Sequence, residues 1–248
     1  MQHAPVPPDR RLWPVEIRKT ALLTPRMKRI TLGSSALADF PVRLPAQWVK
    51  LFVPAPEAEK PAGRAYTIRH FRAPDGEMDI DFVLHGDGPC SCWAETAKAG
   101  DVARIAGPRS GFQLDPAIRR ILIGGDETAL PAIGAILEAL PDGLSVSTII
   151  EIPDPADIQS LTSRADADIV WLPRGAAPAG ASTALVEAAT AVSLPPETSA
   201  VWIAAEAATV RAMRRHFQIE RGFDRRRITA AGYWKKGQTD FRDSEGDQ

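Results

Sequence analysis

The sequence is short of cysteine, of long apolar runs and of charge of one sign, and each shortage removes a class of function. Its only cysteines, Cys90 and Cys92, lie in "GPCSCWA". One residue apart, they are poor partners for a structural disulfide. Two thiols also fall short of the four ligands an iron–sulfur cluster wants. They read as free thiols in a reducing compartment. The four histidines, His3, His70, His85 and His216, show no metal-binding spacing. No apolar run approaches the roughly 20 residues that span a bilayer. The opening "MQHAPVPPDRRLW" has neither the apolar segment nor the cleavage pattern of a signal peptide. A net charge of -1 lacks the basic footprint of bulk nucleic-acid binding. The expectation is a soluble, cytoplasmic protein, most simply a monomer, with no nucleic acid or membrane as partner.

What is present is 248 residues, 44% hydrophobic and 25% charged, enough to bury a sizeable core in one or two domains. Residues 1–115 read as β-rich. "PVEIRKTALLT" and "MKRITLGS" flank a Thr24-Pro25 turn, and "QWVKLFVP", "RAYTIRHF", "EMDIDFVLHG" and "DVARIAGPRS" make six strands in all. In the fifth, Met78, Ile80, Phe82 and Leu84 alternate with Glu77, Asp79 and Asp81, the pattern of one buried and one polar face. "PCSCWAETAKAG" predicts a short helix with Pro89 in its first turn and Gly100 at its close. Six short antiparallel strands with one helix suggest a small β-barrel.

From residue 116 to 237 strands alternate with helices, several of them apolar throughout. That pattern predicts a doubly wound parallel sheet covered on both faces. Residues 238–248 form a polar tail.

Three stretches can carry chemistry. In "IGGDETALP", Gly124 and Gly125 permit a tight turn and close approach of a ligand, and the helix opening near Thr128 offers unpaired N–H groups. Asp126 or Thr128 serves equally well there as a plain helix cap. In "LHGDGPCSCWA", the backbone donors of Gly88, Cys90 and Ser91 could cradle a pyrophosphate, although such a turn is more often a simple strand-to-helix connection. In "AAEA" and "GYWKKG", Glu206 and Trp234 end strands at the functional edge of the sheet, and Lys235 and Lys236 follow, a pair that would ordinarily be a solvated end. Together the two halves suit a protein that aligns a flavin with a nicotinamide while the cofactors perform the electron chemistry.

The ordered set "RAYTIRHF", "MDIDFVLHGDGP…WA", "GD…IAGPRSGF", "GGDETALPAI", "WIAAEA…VR" and "AGYWKKG" resembles the siderophore-interacting protein family, a branch of the ferredoxin-reductase-like flavoproteins, over about residues 12–237. The resemblance implies an FAD-binding barrel over residues 1–115 and an NAD(P)H-binding domain over 116–237. It implies an enzyme that passes electrons from NADPH or NADH, or from a ferredoxin in some members, through FAD to siderophore-bound Fe(III). On the same grounds Arg64 pairs with the FAD pyrophosphate, Tyr66 lies against the flavin and Thr67 reaches the ring edge, with Arg69 and His85 as further contacts. Gly88, Cys90, Ser91 and Trp93 would hold the pyrophosphate turn. Asp126, Thr128 and Ala129 would lie where the two cofactors meet, with Trp234 near the flavin. Gly124, Gly125, Asp126, Glu127, Thr128 and Glu206 would line the nicotinamide side. Lys50, Lys235 and Lys236 are the candidates for holding an anionic ferric siderophore.

One departure stands out: Cys92 replaces the arginine that the family often carries before the Trp of "WA". The choice between NADH and NADPH stays open. Glu151 and Asp154 favour a free ribose, whereas Arg174 suits a 2′-phosphate. Two other readings remain: a general NAD(P)H:flavin or ferredoxin-type oxidoreductase, and a non-enzymatic siderophore-binding protein.

Overall fold

The computed structural model describes residues 11–54, 62–86, 88–239, 241 and 243. The chain before Arg11 and much of the polar tail lie outside the described residues. Two compact units are present. One holds the chain up to Ala21 and Lys28–Gly111; the other holds Leu22–Met27 and the chain from Phe112 onward.

The first unit is built on an antiparallel sheet: β1 (Trp13–Thr24), β2 (Met27–Gly33), β3 (Trp48–Val53), β4 (Ala62–Thr67), β5 (His70–Arg72), β6 (Glu77–Val83) and β7 (Val102–Arg109), with α1 (Pro89–Thr96) between the last two. The order β4-β3-β7-β1-β2-β6-β5 contains seven strands where the sequence suggests six, because "RAYTIRHF" changes partner midway. Ile68 donates its N–H to the Gln47 carbonyl at 2.8 Å, and the next N–H, of Arg69, goes to Asp79 at 2.9 Å. The chain thus leaves β3, the neighbour of β4, and joins β6, the neighbour of β5. One segment serves both ends of the sheet, which curls it into a barrel-like form. Ile17, Ile30, Leu32, Val49, Leu51, Met78, Ile80, Phe82 and Ile105 fill its interior.

The acidic face expected on β6 is covered rather than solvated. Asp79 and Asp81 are only 5% and 6% exposed. Burial of a carboxylate is tolerable only when it is paired, and both are. Arg29 reaches Asp81 through two bonds of 2.7 and 2.8 Å. Asp79 accepts from Thr31 Oγ1 at 2.7 Å and from Arg72 at 2.8 and 3.0 Å, with His70 Nδ1 at 3.2 Å. Burial alone would raise its carboxyl, but the bonds from His70, Arg72 and Thr31 hold it far below the usual range.

The second unit contains β8 (Arg120–Gly125), α2 (Leu130–Ala139), β9 (Ser145–Ile152), β10 (Asp166–Pro173), α3 (Ala184–Ala191), β11 (Ser199–Glu206), α4 (Ala207–Arg215) and β12 (Ile228–Trp234). The order is β10-β9-β8-β11-β12, and every pairing is parallel. Leu122, Ile149, Val201 and Ile203 pack with residues of α3 and α4 on one face. Alternation turns Ile121 and Ile123 to the other face, beside the almost wholly buried α2. The connection from β9 to β10 carries only a 3-10 turn, Pro155–Asp157, capped by Asp154. The sheet grows in opposite directions from β8, towards β9 and towards β11, so its switch point lies between the carboxyl ends of β8 and β11. Among the described residues no helix is long and apolar enough to cross a membrane.

Candidate functional site

In the first unit, strand alternation puts Arg64 and Tyr66 on one face of β4. The Tyr66 ring lies 4.4 Å from that of Phe82, which in turn is 5.9 Å from Trp93. Its hydroxyl hydrogen-bonds the buried Cys90 thiol; burial first, then Cys90, push the phenol well above its ordinary range. The Arg64 guanidinium donates to the Gly63 carbonyl at 3.0 Å and acts electrostatically on both Tyr66 and Cys90. Its strand, β4, packs against α1.

The first turn of α1 is poised for an anion. Among the described residues no side chain caps α1, and Gly88, at φ 78°, has open space where a Cβ would stand. The amides of Cys90 and Ser91 have no intrahelical acceptor. Ser91 Oγ is occupied on the opposite side, accepting from His85 N–H at 3.2 Å and reaching Val83 O at 3.4 Å. It anchors the turn to the end of β6 and leaves its backbone to face a ligand. A guanidinium, uncapped amides and an aromatic ring fit the pyrophosphate and ring system of a flavin dinucleotide.

Other predicted residues take different places. Thr67 is buried on the other face of β4, paired with Trp48. Arg69 is buried, with Nη1 2.8 Å from His70 Nε2. Cys92 is exposed, its Sγ 3.9 Å from the Gly86 carbonyl. Lys50 pairs with Ala65 across β3 and β4, so it shares the face opposite Arg64 and Tyr66, with Nζ 5.6 Å from the Phe52 ring. It is not brought to the Arg64 cluster.

In the second unit, Gly124, Gly125, Asp126, Glu127, Thr128 and Glu206 gather at the switch point. Gly124 is buried, yet a Cβ there would meet nothing, which leaves room against the backbone. Gly125 has no such room: its Cβ would fall 2.7 Å from both Ala129 Cβ and the Ala204 carbonyl. This glycine is required by close packing of β8 on α2 and β11.

Asp126 and Glu206 are more fully occupied than sequence reading anticipates. Asp126 Oδ1 accepts from Thr128 N at 3.0 Å and Thr128 Oγ1 at 2.5 Å; Oδ2 accepts from Glu206 N at 3.0 Å and Trp234 Nε1 at 2.8 Å. Burial and the adjacent Glu127 carboxylate raise its carboxyl, against the pull of those donors. Glu206 caps α4, accepting from Ala208 N at 2.5 Å and Thr209 N at 3.2 Å, and its other oxygen takes Lys236 N at 3.2 Å. Lys235 and Lys236 are exposed at the end of β12.

Arg174, weighed above as a receptor for a 2′-phosphate, is turned inward. Its guanidinium forks onto Glu127 at 2.5 and 2.7 Å and lies 3.8 Å from Glu151. Burial raises the Glu151 carboxyl, opposed by Ser182 and Arg174. This clamp was missed because nothing local pairs positions 127 and 174. Gly180 was missed too: its φ is 66°, and a Cβ would lie 2.9 Å from Glu206 Cγ and 3.1 Å from Trp234 Cη2. The glycine in "PAGAS" was its only signal.

Comparison with known proteins shows the family. Residues 118–237 match the siderophore-interacting protein family model, and residues 16–62 and 55–112 match its companion, the siderophore-interacting FAD-binding domain. The chain belongs to the siderophore-interacting protein family. Within it, the ferric vibriobactin reductase ViuB of Vibrio cholerae is 33% identical over 86% of this chain and 85% of its own. The NADPH-dependent ferric-chelate reductase of Escherichia coli is 28% identical over 91% of this chain and 94% of its own. The crystal structure of a siderophore utilization protein from T. fusca superposes with a TM-score of 0.88 at 33% identity, covering 94% of this chain and 95% of that one. The Arg64–Tyr66–α1 cluster thus lies in the part of the chain that matches the family's FAD-binding domain.

Proposed function

We propose that this protein is an FAD-containing ferric-siderophore reductase of the cytoplasm that draws electrons from NAD(P)H and delivers them to siderophore-bound Fe(III). The observation that carries the reading is Arg64 on the strand that packs against α1, whose N-cap is a glycine, in a chain of this family. Two relatives named as ferric reductases support it. When bound, FAD supplies the conversion of a hydride into single electrons.

The chain's own residues bind and orient. Arg64 and the Cys90 and Ser91 amides hold the pyrophosphate. Tyr66, immobilised by Phe82 and Cys90, gives the ring system a fixed aromatic neighbour. Gly124 lets a nicotinamide nucleotide approach the end of β8. Lys235 and Lys236 offer exposed positive charge to an anionic ferric complex. Fe(II) binds the hard oxygen ligands of a siderophore far less tightly than Fe(III), so reduction releases the metal.

A single cuvette tests this. The purified protein should show flavin absorption, bleached by NADH or NADPH and restored by a ferric siderophore, with Fe(II) captured by a ferrous-specific chelator. Bleaching by reduced ferredoxin but by neither nicotinamide would replace the donor. Bleaching without reoxidation by the ferric complex would favour a general flavin reductase. Absence of flavin bands even with added FAD would refute the proposal.

A further inference from the structure

Resting on the NAD(P)H reading above, we propose that Asp126 is a positioning residue that holds Trp234 as a fixed wall of the crevice at the sheet's switch point.

Capping the turn after β8 needs only one oxygen of Asp126, and Oδ1 performs that task with Thr128. Oδ2 has a separate one: it joins the end of β11, through Glu206 N at 3.0 Å, to the end of β12, through Trp234 Nε1 at 2.8 Å. The acceptor is a buried carboxylate, 5% exposed. A hydrogen bond to a buried charged group is stronger than one between neutral groups and is little contested by water.

The indole is also fixed at its far end. Gly180 packs so closely that a Cβ would come 3.1 Å from Trp234 Cη2. The chain beyond it is tied as well, through Lys236 N to Glu206 Oε1 at 3.2 Å and the bridge between Lys235 and Gln238. Trp234 is therefore held at Nε1, at the ring edge and through the following backbone. A wall set in advance spares the binding nucleotide the entropy of ordering that side chain.

Asn and Ala at position 126 separate positioning from simple loss of the carboxylate. An Asn can turn its oxygen to Glu206 N and Trp234 Nε1 and its NH₂ to Thr128 Oγ1, which can accept. An Ala holds neither. The experiment uses FAD-loaded protein labelled with indole-¹⁵N tryptophan, the Trp234 signal being assigned by its loss in Trp234→Phe. Asp126→Ala should move that signal to a solvent-exposed position and remove its exchange protection, while Asp126→Asn should keep both. In parallel, NAD⁺ or NADP⁺ is titrated into the oxidised protein, so that binding rather than turnover is read. Asp126→Ala and Trp234→Phe should each weaken binding about tenfold, the double variant no more than either, and Asp126→Asn less than about threefold.

An indole signal unchanged in Asp126→Ala, or binding losses that multiply in the double variant, would overturn the proposal. Should Asp126→Ala fail to fold, Trp234→Phe still tests the wall: unaltered nucleotide affinity would refute it. If the wild-type protein binds neither dinucleotide, the NAD(P)H reading and the wall's role fail together, while the indole signal still reports whether Asp126 holds Trp234.

Discussion

Replacing Glu127 by Ala would leave the Arg174 guanidinium nearly buried with its bidentate partner gone. The Arg174 and Glu127 side chains are 7% and 12% exposed, and Glu151, the next acid, is 3.8 Å away, beyond hydrogen-bond reach. Removing one member of a buried ion pair typically costs 3–5 kcal/mol, because the survivor keeps its desolvation penalty. Glu151 recovers part of this by moving closer, which puts the expected loss at about 3 kcal/mol. Glu127→Gln keeps one acceptor and should lose about 2 kcal/mol. Removing the charge altogether, in Glu127→Leu with Arg174→Met, should cost less than either single change. The assay is urea denaturation at neutral pH, with separate probes for each unit since the chain has two. A second readout is affinity for NADPH against NADH: in Glu127→Ala a released Arg174 should favour the 2′-phosphate. A loss below about 1 kcal/mol in Glu127→Ala would refute the claim that this pair is buried and strongly coupled.

Asp79 carries a signed pH dependence. Its carboxyl is held below its unfolded value near 4, so the stability it supplies should be complete above about pH 5 and fall away as pH drops further. Asp79→Ala should flatten that acid limb in denaturation midpoints measured from pH 3 to 6. Gly125→Ala should cost about 1–3 kcal/mol, read by the same denaturation, because the added methyl meets the Ala204 carbonyl and Ala129 at 2.7 Å. Arg64→Ala should weaken FAD retention about 10- to 100-fold, measured by equilibrium dialysis, as expected for losing a charge-assisted bond.

The two-part layout, the parallel sheet and the motif positions were legible in sequence, because period-two alternation, apolar strands and glycine turns are local consequences of backbone geometry. The same alternation assigned Asp79 and Asp81 correctly to one face of β6. It could not say what covers that face, and Arg29 and Arg72 decided that. "RAYTIRHF" reads as one strand because nothing local marks the change of partner at Ile68 and Arg69. That Lys50 lies on the face opposite Arg64 and Tyr66 followed only from its pairing with Ala65. Above all, sequence reading could nominate Asp126, Glu206, Trp234 and Arg174 but not their partners. Those lie 47, 80 and 108 positions apart along the chain for the Glu127–Arg174, Asp126–Glu206 and Asp126–Trp234 bonds. They meet because parallel strands bring their carboxyl ends to one edge, where buried carboxylates and N–H groups must satisfy one another.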